Sequence, residues 1–335
     1  MSSGRDMTFN SLTFSRALWL LPLAALAAPA AAGAPSAAAP ATAAAAPAAK
    51  PGLGKPPTPP AQPEPRPALW LLADEDTKIY MFGTIHVLPP GFRWRSAALD
   101  KAVGESAELV VETYDAPGAD TAADVSAGFF ADKPVPLLQR VPKKSRKALK
   151  AAIRESGLLA PMLDRMHSWA AAMTLGIAQM LSDYGVDDPD QAPGVEDVLE
   201  ETFRAAGKPI LSVEDGDAVL ASMSALPEPV QAQLLVEAVA PAPADGKDER
   251  DSGVGEADWV AGRAEALDLE LDGDFPPALF DVLVRRRNAA WTLWLEERLK
   301  KPGTLLFAVG AGHLAGRESV QAMLARRGLE VKRVD

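Results

Sequence analysis

Apolar residues in this chain fall into two kinds of pattern, short continuous runs and longer sets at helical spacing, and the two kinds alternate. Ala68-Leu-Trp-Leu-Leu72 and Lys78-Ile-Tyr-Met-Phe82 are runs of strand length. Asp74-Glu-Asp-Thr77 between them supplies turn chemistry, which predicts a hairpin. The second run passes straight into Gly83-Thr-Ile-His86. A loop with Pro89, Pro90 and Gly91 follows, then a short helix near 96–104 and a strand, Glu108-Leu-Val-Val111, that ends on Glu112. From 120 to 240 the pattern is mostly helical. It includes a long Ala/Met/Leu-rich stretch over 161–182 and a helix opened by Gly194-Val-Glu-Asp197 and stopped at Gly207, with Pro209 just beyond. Ile210-Leu-Ser-Val213 reads as a brief strand ending on Glu214, and polar 241–257 as a loop. Pro276 and Pro277 suit the first turn of a helix running to Lys300. Thr304-Leu-Leu-Phe-Ala-Val309 is a buried-type strand that enters Gly310-Ala-Gly-His313. A helix over 315–327 and a strand, Glu330–Val334, close the chain. Strands alternating with helices predict an α/β fold, a central mixed β-sheet flanked by helices with a largely helical middle region.

Composition divides the chain. Residues 1–67 hold 13 of its 30 prolines and are otherwise rich in alanine. Arg5 and Arg16, the apolar stretch Ala17–Leu26 and the small residues Ala30-Ala31-Ala32 read as a signal peptide over 1–32. The stretch is short for a membrane span and contains Pro22. Residues 33–67 read as a Pro/Ala-rich disordered tether, and 68–335 as one folded domain. A cleaved leader implies a periplasmic or secreted protein with no stable membrane span. The absence of cysteine excludes disulfides, thiolate metal sites and a cysteine nucleophile. A net charge of −11 argues against nucleic acid as a partner. The one basic run, Lys143-Lys-Ser-Arg-Lys147, reads as a solvated helix face.

Two of the three histidines, His86 and His313, close a Gly-x-x-His turn directly after an apolar strand. Glycine permits a sharp turn where a strand leaves the sheet. The histidine then sits at the carboxyl edge, where open α/β sheets form their ligand crevices. Local hydrogen bonding at two turns is the alternative. Glu112 and Glu214 end strands and can complete such a site, since two imidazoles and a carboxylate form a common catalytic metal set. Either could instead cap a following turn. Arg287 falls on the apolar face of the 276–300 helix, with Asn288 at its border. An inward guanidinium implies a carboxylate or a ligand, so a substrate contact and a structural ion pair are both open. His167, inside the alanine-rich stretch, reads as a packing or surface residue. No nucleophile elbow, His-Glu-x-x-His, Walker loop or dinucleotide fingerprint is present.

Several of these pieces occur together in a known order: Leu69-Trp-Leu-Leu with Ile79-Tyr-Met-Phe-Gly-Thr-Ile-His-Val-Leu88, Leu109-Val-Val-Glu112, Ser168-Trp169-Ala, Gly194-Val-Glu196, Arg287-Asn288 and Phe307-Ala-Val-Gly-Ala-Gly-His-Leu314. This set resembles the TraB/GumN/PrgY family, which includes the Tiki metalloproteases, over residues 68–334. The resemblance implies a fold related to the erythromycin-esterase and ChaN group. It also implies that His86 and His313 are the paired site histidines, Glu112 the site glutamate and Arg287 the arginine of the late helix. Glu196 departs from the pattern, standing where aspartate is expected.

Taken together, these readings lead to an exported, metal-dependent hydrolase of the peptidase type. His86, His313 and Glu112 are the metal ligands, and Glu112, Arg287 and Glu214 the catalytic candidates. Arg287 and Asn288 are the substrate-binding candidates. The metal is manganese, cobalt or zinc, and the substrate a peptide or small molecule. The alternative is a non-catalytic binding protein that sequesters a peptide, a signal molecule, haem or a metal in the same pocket.

Overall fold

The computed structural model describes residues 64–116, 128–186, 191–240, 254–268 and 276–335. The leader and nearly all of the tether lie outside them, as do residues 241–253 of the expected loop. Among the described residues, six strands form one mixed sheet: β1 (Leu69–Ala73), β2 (Thr77–Thr84), β3 (Glu108–Val111), β4 (Ile210–Ser212), β5 (Gly303–Gly310) and β6 (Val331–Arg333). Their order across the sheet is β4-β3-β5-β2-β1-β6. The four strands β4, β3, β5 and β2 run parallel, β1 is antiparallel to β2, and β6 is antiparallel to β1.

Both faces of this sheet are covered, which explains why its inner strands read as unbroken apolar runs. Side chains alternate at a period of two. Ile79, Met81, Val110, Leu305, Phe307 and Val309 pack on one face with Trp291, Leu295, Val320 and Leu324. Tyr80, Phe82, Leu109, Val111, Leu306 and Ala308 face the other way, into the larger core built by the helical middle region.

Four helical expectations change, one of them the last helix, which spans Val320–Arg326 rather than 315–327. The 161–182 stretch is two helices, Ala160–Arg165 and Ser168–Asp183, broken at Met166-His167. His167 has extended backbone, and its N–H donates to Phe129 O at 2.8 Å rather than to the preceding turn. It therefore precedes the long helix instead of lying inside it. Residues 254–260 form a helix, so the last four residues of the loop expected over 241–257 are helical. The helix expected from Pro276 begins as a four-residue turn, Pro277–Phe280, widens into a π turn over Asp281–Arg285 and continues as the helix Arg286–Leu299. That wide turn ends two residues before Arg287, and π turns inside helices commonly mark functional positions.

Candidate functional site

All four parallel strands deliver a candidate residue to the same edge. In register, Val111 on β3 lies beside Ala308 on β5 and Ser212 on β4, and Thr84 on β2 lies beside Gly310 on β5. One to three residues beyond these pairs come Glu112, Glu214, His86 and His313. The sheet edge therefore reads Glu214, Glu112, His313, His86 in strand order. Two glycines serve close packing here. A Cβ on Gly83 would lie 2.9 Å from Ala311 Cα, and one on Gly194 would lie 2.2 Å from the His86 carbonyl oxygen.

Arg287 joins three of these residues. Its Nε donates to both oxygens of Glu214, at 3.1 and 2.9 Å, and its Nη2 donates to Glu214 Oε1 at 2.5 Å and to Glu112 Oε2. Nη1 donates to Leu283 O at 3.2 Å and faces His313 Nε2 at 3.1 Å. A guanidinium has five N–H donors, and all five have protein partners. The cation also lies 4.8 Å over the Trp291 ring, whose Nε1 donates to Glu214 Oε2 at 3.0 Å. Arg285 and Arg286, by contrast, are exposed and pair with Asp281.

The two histidines are held in the same manner. His313 Nδ1 lies 2.6 Å from Asn288 Oδ1. Asn288 Nδ2 donates to the carbonyls of His313 and Glu318, at 3.3 and 2.7 Å, so Oδ1 is the amide's acceptor end. Arginine can only donate, so His313 Nε2 accepts and the proton sits on Nδ1. His86 Nδ1 lies 2.8 Å from Glu196 Oε1, which also accepts from the Thr84 hydroxyl. Glu196 is brought there by the helix Val195–Ala205. Asp197 Oδ2 caps the backbone N–H of Gly194 at 2.7 Å, and Val195 N–H donates to Ile85 O at 2.9 Å. Both imidazoles thus use Nδ1 for anchorage and keep Nε2 for the site. His86 Nε2 and Glu196 Oε2 are buried without a hydrogen-bond partner.

The charges are shared unevenly. Burial pushes the Glu112 carboxyl up; Arg287 pulls it down and neighbouring Glu214 pushes it up again, with a net rise. Its other oxygen, Oε1, accepts from the Gly310 N–H at 2.7 Å and lies 3.7 Å from His313 Nε2. Burial opposes the charge on Arg287, but the two glutamates outweigh it and hold the guanidinium protonated. Burial likewise opposes charge on His86, and Glu196 overcomes it, so the imidazole is raised. Burial pushes Glu196 up, yet His86 and Thr84 bring it below the usual carboxylate range.

The structure therefore brings Glu112, Glu214, Arg287 and His313 into direct contact and sets His86 with Glu196 beside them. Asn288 orients His313 from behind. No group of three or more His, Asp or Glu among the described residues is arranged to hold a metal ion. Trp291 and Thr84 carry site contacts that apolar patterning gave no reason to separate from the core. Glu196 was visible at the start of a helix after Gly194 and as the residue standing where the resemblance expects aspartate, but not as the partner of His86.

A TraB/PrgY/gumN family match spans residues 68–333 and so includes every residue of this site. The chain is 24% identical over 280 residues to the uncharacterized protein YbaP of Escherichia coli (strain K12), covering 77% of this chain and 92% of that one. The YbaP of Shigella flexneri matches to the same extent. No solved structure matches. With its motifs in order along one sheet edge and the match running through the whole folded region, the chain belongs to the TraB/PrgY/gumN family.

Proposed function

We propose that this protein is a metal-dependent hydrolase, a peptidase of the TraB/GumN/Tiki type, acting outside the cytoplasm. The observation that carries this reading is His86: its Nδ1 is tied to a carboxylate while its buried Nε2 meets no protein partner. A metal-ligating histidine is held in this way, oriented by a carboxylate behind it, with Nε2 left to give up its proton when an ion binds. The residues that would hold the ion are His86, His313 and Glu112, with Glu196 and Asn288 behind the imidazoles; as they stand the three are not arranged as a metal site, and His313 and Glu112 would have to turn from Arg287 to form one. Manganese, cobalt and zinc all suit such donors. The ion would supply a bound water of lowered pKa and a Lewis acid for a carbonyl oxygen. His313 and Glu112 are engaged with Arg287. Every Arg287 donor is spent inside the protein, so an oxyanion or substrate contact requires one of those partners to yield. Export rests on the leader-like composition of residues 1–32.

The test is metal analysis of the purified chain beside His86→Ala, followed by cleavage of a peptide library with added Mn²⁺, Co²⁺ or Zn²⁺. Stoichiometric metal and turnover, both lost in the variant, are expected. Absence of both metal and His86-dependent cleavage sinks the proposal. The second reading, a sequestering protein, draws on the same spent donors of Arg287. A ligand bound tightly and recovered unchanged would favour it.

A further inference from the structure

The segment from Lys133 to Arg165 opposes the charge of the whole. It carries nine Lys and Arg against Glu155 and Asp164, in a chain whose net charge is −11. From Lys133 to Arg154 there is no acidic residue at all. Elsewhere surface cations are mostly neutralised: Arg204, Arg263, Arg285, Arg286, Arg326 and Arg327 each pair with a carboxylate. Lys143, Lys144, Lys147 and Lys150 are exposed, and none forms an ion pair with a described residue. They lie on and just before the helix Arg146–Glu155, whose only fully buried side chain is Leu149.

Apolar exposure coincides with this charge. Leu159 is 73% exposed and Val135 45%, the highest and third-highest values among the large hydrophobic residues described. Arg140 clasps the two ends of the segment together. Its Nε donates to Val135 O at 2.6 Å and its Nη2 to Asp164 O at 2.6 Å, while Leu137 N–H donates to Asp164 Oδ1 at 2.7 Å. The result is one lobe with unneutralised lysines and two protruding aliphatic side chains.

We infer that this lobe is a docking surface for an anionic lipid bilayer. Unpaired lysines are compact point charges suited to the diffuse field of a charged headgroup layer. A partner protein or a nucleic acid would more often be met by the forked geometry of arginine. Exposed Leu159 and Val135 would enter the headgroup boundary, as apolar side chains beside a basic face do on membrane-surface elements. This inference does not depend on the hydrolase reading.

The experiment is co-sedimentation of the full chain with vesicles of neutral phosphatidylcholine, and with vesicles containing about 30% phosphatidylglycerol. Expected is partitioning onto the anionic vesicles alone, abolished at about 0.5 M salt. In K143Q/K144Q/K147Q/K150Q the partition coefficient should fall by about a hundredfold or more, with an unchanged melting curve because these lysines bond to nothing that holds the fold. Leu159→Gln should weaken binding by about threefold to tenfold, leaving its salt dependence intact. The inference is overturned if the quadruple variant binds anionic vesicles as the parent does, which would assign binding to the apolar stretch near residue 20. It is equally overturned by comparable binding to neutral vesicles, or by capture of poly-glutamate without vesicle binding, which would assign the lobe to an acidic protein.

Discussion

Asn288 Oδ1 stands 2.6 Å from His313 Nδ1, and this contact decides which nitrogen of the imidazole faces Glu112 and Arg287. The amide is fully buried, and its other end is spent on two carbonyls. Asn288→Leu keeps the volume but leaves two carbonyls and an N–H unpartnered. A loss of roughly 2–4 kcal/mol is expected in urea unfolding. Nitrogen shifts of His313 should report the Nδ1-protonated neutral tautomer in the parent and a mixed or altered state in Asn288→Leu, which removes the acceptor. An unchanged tautomer in that variant would show that Asn288 does not set it.

Arg287→Met removes the one cation shared by Glu112 and Glu214. Two buried carboxylates then face each other, and a loss of roughly 3–5 kcal/mol is expected. Adding Glu112→Gln to that background should recover part of the loss, because one of the uncompensated charges disappears. Urea midpoints of the two single variants and the double variant measure the coupling. Additive losses would mean that the contact contributes no net interaction.

Two glycine substitutions should move stability in opposite directions. Gly194→Ala drives a Cβ to 2.2 Å from the His86 carbonyl oxygen, so backbone must shift and His86 with it. A cost of roughly 3 kcal/mol or more is expected. Gly104 lies in the helix Ala97–Glu105 with open space around its Cβ position. Gly104→Ala should stabilise by about 0.5–1 kcal/mol. Thermal melts of both proteins test the pair.

Glu200, one turn after Glu196, is raised to about 7 by burial first, then by Asp197 and Glu196, with Arg204 opposing. The folded state therefore holds this proton more tightly than the unfolded chain. Stability is intact at low pH, falls as pH rises from the ordinary carboxylate value toward 7, and is constant above. Glu200→Gln should gain roughly 1–2 kcal/mol above neutrality, after discounting for its partial exposure, and nothing near pH 4. Equal gains at both pH values would refute the assignment.

Much of the sheet was legible because covered parallel strands need uninterrupted apolar runs, and β2, β3 and β5 have them. The two histidine turns were legible because Gly-x-x-His recurs directly after two apolar runs; of their leading glycines, Gly83 serves close approach to Ala311 and neither has positive φ. The break before Ser168 was not. Met166-His167 interrupts a stretch of good helix formers, and the cause is a long-range bond from His167 to Phe129. The π turn at Asp281–Arg285 was hidden for a similar reason, since no proline or glycine marks it. Arg287 was visible as an inward charge, but its two carboxylates, 73 and 175 residues away, were not paired with it by any local pattern. Asn288 was visible at the border of the apolar face, but its bonds to His313 and Glu318 were not.

Strand β5 lies between β3 and β2, yet it is made from residues 303–310 of a 335-residue chain. A ribosome must therefore release every residue through β5 before the two halves of the sheet can be joined. Until then Glu112 and Glu214 stand on one fragment and His86 on another, with neither His313 nor the Gly310 amide between them. Nascent chains, or chains terminated before β5, cannot carry the assembled site.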